Sequence, residues 1–116
     1  MLPRKQRIPK ATAREVFIRG FITPTPHFLI KVLKSEQSES RFAVSVSKKV
    51  ASTAVLRNRT RRRVYSLLRN YVSRAKGGLN IAFVAKAGAP LLKGQVLAKE
   101  IESGLVRAGI LNVESL

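Results

Sequence analysis

Residues 54–73 read Ala54-Val55-Leu56-Arg57-Asn58-Arg59-Thr60-Arg61-Arg62-Arg63-Val64-Tyr65-Ser66-Leu67-Leu68-Arg69-Asn70-Tyr71-Val72-Ser73, and their periodicity decides the fold. Val64, Leu67, Leu68, Tyr71 and Val72 recur at i, i+3, i+4, i+7 and i+8, the apolar stripe of an amphipathic helix. The segments before it have period two. Phe28, Ile30 and Val32 alternate with His27, Leu29 and Lys31, and Phe42, Val44 and Val46 with Ala43, Ser45 and Ser47, which predicts two strands. Polar Ser35 to Ser40 between them reads as a hairpin turn. After the helix, Gly77-Gly78 makes a turn. Leu79 to Ala85 is then an almost continuous apolar run of strand length, as expected of a central strand.

Further out the signals are shorter. Thr12 and Glu15 have the spacing of a capping box for a helix that Gly20 ends, with Val16 and Phe17 as its apolar contacts. Phe21 to Thr23 reads as a short strand before the Pro24-Thr25-Pro26 break. Pro90 suits the first turn of a last helix whose apolar face includes Leu92, Val96 and Leu105. Gly104 weakens that helix by about 1 kcal/mol relative to Ala. Residues 1–10 hold Arg4, Lys5, Arg7 and Lys10 with two prolines, a basic N-terminal arm. The order helix, strands, helix, strand, helix predicts a single α+β domain over residues 1–116, with helices packed on one sheet.

Charge narrows the function. The chain has 23 Lys and Arg against 6 acidic residues, a formal net charge of +17. It has no Asp, and the sixty residues between Glu39 and Glu100 contain no acid but 14 of the 23 basic residues. Such a one-signed field attracts a polyanion, whereas a merely solubilised surface would intersperse both signs. The absence of Cys excludes disulfides and thiolate metal sites. No apolar stretch approaches the roughly 20 residues of a membrane span, and no secretory leader is legible, so a cytoplasmic protein is expected.

The positive charge concentrates where a helix tolerates it least. With about 100° per residue and Val64 at zero, Arg57 falls near 20° and Arg61 near 60°, inside the arc that is apolar two turns later. Arg59, Arg62 and Arg63 occupy the remaining circumference, so the front of the helix is expected to project past the core. Cations beside the unpaired N–H groups of a helix start typically cost about 0.3–1 kcal/mol each. Phosphates relieve that conflict by accepting from both the N–H groups and the Arg forks. A solvated face would instead carry Glu partners at i+4, and none is present.

Catalytic sets are missing. Two-metal phosphodiester chemistry needs clustered carboxylates, and Glu100 and Glu102 fall on opposite flanks of a helix. His27 reads as an ordinary packed or surface histidine. No phosphate-binding glycine loop is present. A DNA recognition helix would need a preceding helix at helix-turn-helix spacing, but an extended segment leads into this one. Among the few aromatics, Phe17, Phe21 and Phe28 are the candidate platform for base stacking, with plain core as the alternative. A ribosomal or RNA-chaperone protein would share this charge. A membrane-surface protein would oppose a greasy face to its cations, which this helix does not.

Val46-Ser47-Lys48-Lys49, followed by Ala54-Val55-Leu56-Arg57-Asn58-Arg59-Thr60-Arg61-Arg62, together with the basic arm and Phe17 before Gly20, resembles the protein subunit of bacterial ribonuclease P. The specific motifs cover residues 1–76, and 77–116 match in element order. The resemblance implies three helices and a mainly four-stranded mixed sheet with a left-handed βαβ crossover, the ribosomal protein S5 domain 2-like fold. It implies an RNA-binding subunit that assists a catalytic RNA in removing the 5′ leader from precursor tRNA. Magnesium is then used by the RNA subunit, the partners are that RNA and precursor tRNA, and no obligate protein partner is expected. By resemblance Lys48, Lys49, Arg57, Asn58, Arg59, Arg61, Arg62 and Arg63 bind the RNA subunit. Phe17, Phe28, Lys31 and Arg14 bind the leader in a cleft between the first helix and the sheet, and no residue is catalytic or metal-binding. The chain departs from the family where Ala13 and Lys31 replace aromatics, and where Tyr65 replaces a basic residue.

Overall fold

A computed structural model describes residues 2–112. Helix α1 spans Lys10–Arg19, followed by strands β1 (Phe21–Pro24), β2 (Phe28–Lys34) and β3 (Arg41–Ser45). Helix α2 (Ala54–Leu68), strand β4 (Leu79–Ala85) and helix α3 (Gly94–Arg107) complete the order. The four strands form one mixed sheet in the order β1-β2-β4-β3. β4 pairs antiparallel with β2 and parallel with β3, so β3-α2-β4 is the expected βαβ unit and the Leu79–Ala85 run is an interior strand.

Alternation assigns the two faces of the sheet. Phe28, Ile30, Phe42, Val44, Ile81 and Phe83 point one way into the main core, where they meet Val64, Tyr65 and Leu68 of α2 and Leu97, Ile101 and Leu105 of α3. Burying such a side chain stabilises the fold by about 1.5–3 kcal/mol. Ala82 points the other way and packs with Ile8 and Val16, flanked by Ala13, Phe17, Leu33 and Ala43. Helix α1 therefore covers the face opposite to α2 and α3.

Four expectations are corrected. Ser35–Ser40 does not close a hairpin, because β4 lies between β2 and β3. The loop crosses the end of β4: Ser35 N–H donates to Gly78 O (2.8 Å), and Gly78 N–H to Ser38 O (3.1 Å). Gly77 permits this close passage, since a Cβ there would stand 2.5 Å from Ser38 O. Six polar residues reach across the roughly 10 Å of one interposed strand as readily as they turn back. Second, α1 starts at Lys10 after Pro9, so Thr12 is not its cap and Glu15 pairs with Arg19 at 3.1 Å instead. Proline sets the backbone angle that admits a helix without a side-chain acceptor. Third, Pro90 lies in a separate 3-10 turn, Ala89–Leu91, and α3 begins only at Gly94, with Val96 facing solvent. The basic arm is docked on the sheet. Leu2 is buried, and Ile8 N–H donates to Phe42 O (3.0 Å) along the outer edge of β3, blunting an edge open to pairing. Met1 of the arm lies outside the described residues.

Fourth, helix α2 ends at Leu68, short of Ser73, and a run of turns keeps Tyr71 buried. No described helix is long and apolar enough to cross a membrane.

Candidate nucleic-acid interface

Lys48 and Lys49 stand exposed on the turn after β3, where Ser47 O accepts from Val50 and Ala51 N–H. The Thr53 hydroxyl then caps α2 by accepting from Leu56 N–H at 3.2 Å. Asn58, Arg59 and Arg62 are exposed on its outer side, while Arg57, Arg61 and Arg63 are half-buried along its flanks. Arg57 reaches back to donate to Ala51 O (2.9 Å) and Ser52 O (3.1 Å), fixing the lead-in from the lysine pair. Arg61 donates to Asn58 Oδ1, and Arg63 to Pro90 O at 3.2 Å.

The expectation that the front of α2 projects past the core needs amending. Thr60, one turn inside, is only 2% exposed, and its hydroxyl donates to Leu56 O, while Leu56 packs on the core. The helix is seated along its length, and the arginines leave the protein from its flanks and outer side. None is paired to a carboxylate: the ion pairs among the described residues are Arg19–Glu15 and His27–Glu100. Arg61 also lines a cavity of about 570 Å³ with Arg4 and Arg7 of the docked arm, extending the basic surface beyond the helix.

Tyr65 is not an absent cation but part of the core. Its hydroxyl accepts from Val44 N–H at 3.1 Å, joining α2 to β3. Burial pushes its phenol above the ordinary value, although that hydrogen bond and the nearby Arg7 and Arg61 act the other way.

On the opposite face the structure joins Phe17 and Lys31. The Lys31 ammonium donates to Phe17 O at 2.8 Å and lies 6.0 Å from the centre of its ring, so it sits at the C-terminal, negative end of α1. Arg14 is exposed on the same helix. Phe28 does not join them. It has no exposed surface and packs edge-to-face on Phe83 in the main core, centroids 5.9 Å apart, so no base can stack on it. What shares the face of Lys31 is its own parity: Leu29, and Val84 paired with it across the strands, both half-buried. Ile22, opposite Lys31 on β1, adds exposed apolar surface. Alternation in β2 carried the signal for Leu29, but not which face α1 covers.

The two carboxylates of α3 are engaged. Glu100 accepts from Thr25 Oγ1 and His27 N–H (both 2.7 Å) and lies 2.8 Å from His27 Nδ1, so His27, in the turn before β2, is a packed histidine with a partner. Burial works against the Glu100 charge, but these hydrogen bonds outweigh it and hold the carboxyl below its ordinary value. Glu102 accepts from the Tyr71 hydroxyl at 2.7 Å. Burial, then that carboxylate, pushes Tyr71 upward. Among the described residues no three His, Asp or Glu side chains are grouped. The exposed ammonium and guanidinium groups of this arrangement can bind anions.

A family model described as Ribonuclease P matches residues 2–109. The ribonuclease P protein component of Pseudanabaena sp. (strain PCC 6903) is 29% identical over 114 residues, covering 97% of this chain and 98% of that protein. That of Synechococcus elongatus is 32% identical over 117 residues, 96% of each. Among solved structures, the Staphylococcus aureus RNase P protein superposes with a TM-score of 0.82 at 24% identity, covering 92% of this chain and 98% of that one. The Thermotoga maritima RNase P protein gives 0.77 at 18%, covering 87% and 96%. At these identities the two structures establish the shared fold.

Proposed function

The chain belongs to the ribonuclease P family, and from that membership we propose that it is the RNA-binding protein subunit of a cytoplasmic ribonuclease P. In this reading the RNA subunit performs the cut that removes the 5′ leader from precursor tRNA, and the magnesium belongs to that RNA. The protein binds and neutralises. Lys48, Lys49, Asn58, Arg59 and Arg62 meet phosphates of the RNA subunit, flanked by Arg61 and Arg63, while Arg57 holds the lead-in loop in place. On the other face, Phe17 offers a ring edge to a leader base, and Lys31 and Arg14 take leader phosphates. By lowering phosphate repulsion where the two RNAs meet, the protein reduces the magnesium needed to hold them together.

The observation that carries this reading is the outer side of α2, where exposed arginines have no carboxylate partner among the described residues. Its test is reconstitution with a bacterial ribonuclease P RNA and precursor tRNA. Correct 5′ ends should form at lower magnesium with the protein than with the RNA alone. An unchanged magnesium requirement and unchanged substrate affinity would refute the proposal.

A further inference from the structure

Beside the outer face of α2 lies a groove of about 790 Å³ between that helix and the start of α3. Arg59, Arg62 and Arg63 form one wall, and Lys93 and Lys99 stand on the other. One acid, Glu102, reaches the groove, and it is held by the Tyr71 hydroxyl. The cations thus come from two elements far apart in sequence, which the fold brings to face each other. Neither lysine supports the structure: both side chains are exposed, and neither makes an ion pair among the described residues. The first turn of α3 adds to the same sign, having no acidic residue and no side-chain cap.

Two rows of cations across an open groove complement a polyanion that runs along it, rather than a compact ligand enclosed by it. The groove shares Arg59 and Arg62 with the outer face of α2, so its occupant is continuous with whatever lies there. We infer that the phosphodiester backbone of the RNA subunit passes between α2 and α3, gripped by Lys93 and Lys99 opposite Arg59, Arg62 and Arg63. The start of α3 is thereby part of the RNA interface. This rests on the function proposed above and extends it to residues that the α2 motif does not contain.

The test compares the full-length wild type with Lys93→Ala/Lys99→Ala, and with Lys34→Ala/Lys76→Ala, which removes the same charge from exposed positions elsewhere. Each is titrated with ribonuclease P RNA alone over a series of salt concentrations, and each holoenzyme is then titrated with precursor tRNA. The groove variant should bind the RNA subunit roughly tenfold more weakly at physiological salt, with a salt slope smaller by about 1.5, as expected for two lost phosphate contacts. Its melting temperature and the affinity of the control variant should match wild type. Equal weakening by both double variants, or a loss confined to precursor tRNA, would overturn the inference. A wild-type chain that fails to bind the RNA subunit at all would instead remove the reading beneath it.

Discussion

Gly104 of α3 passes so close to Ile30 of β2 that a Cβ at Gly104 would stand 2.5 Å from the Ile30 Cδ1. Thr25 Cγ2 would be 3.0 Å away. In isolation Gly104→Ala would favour the helix by about 1 kcal/mol. Here the added methyl can enter only if the fully buried Ile30 side chain or the helix itself shifts, so overpacking should prevail at a cost of about 1–3 kcal/mol. Denaturant titration should show a lower midpoint with an unchanged slope.

Tyr65→Phe should cost about 1–3 kcal/mol, because it leaves the Val44 N–H buried without an acceptor. Affinity for the RNA subunit, measured well below the melting temperature, should stay at the wild-type value.

Glu100 makes the fold acid-sensitive. Unfolded, its carboxyl titrates near the ordinary 4.5, and folded it titrates lower. The stabilisation is therefore complete above about pH 4.5 and is lost as pH falls through the folded value. Glu100→Gln should lower the melting temperature at pH 7, by about 1–3 kcal/mol in stability. Its melting temperature should also fall less steeply below pH 4.5 than that of wild type.

The α2 arginines should separate into two classes. Arg59→Ala and Arg62→Ala should each reduce the salt slope of RNA-subunit binding by about 0.7–0.9, with stability within about 0.5 kcal/mol of wild type. Arg57→Ala should weaken binding and also destabilise the fold by about 1 kcal/mol, since its guanidinium holds two backbone carbonyls of the lead-in loop. Binding curves and melts on the same preparations check both classes.

The two phenylalanines assigned to the leader should part company. Phe17→Ala should weaken binding of precursor tRNA more than of leaderless tRNA. Phe28→Ala should cost about 3–5 kcal/mol of stability through the cavity it leaves, with no selective effect on leader-bearing substrate in whatever fraction remains folded.

These contrasts mark what was legible in the sequence. The apolar run of β4 and the period change into α2 were legible because burial on both faces and burial on one stripe write different patterns. The basic motif was legible because its charges conflict with a helix start. Strand order was not, since a polar loop such as Ser35–Ser40 records its length but not whether a strand lies beneath it. Phe28 enters the leader site by family resemblance, while parity in β2 sets it on the face opposite Lys31 and leaves open which helix covers either face. Arg57 looked like a free cation because carbonyl acceptors leave no mark in composition.

The position of β4 reaches back into how the molecule comes into being. It is the last strand to leave the ribosome, yet it fills the gap between β2 and β3, so until residue 85 has been synthesised those two strands have nothing to bridge them. The nascent chain by then already carries the whole arginine motif, without the core that orients it. Closing the sheet's centre is thus the step that gives those cations a fixed backing and a defined shape.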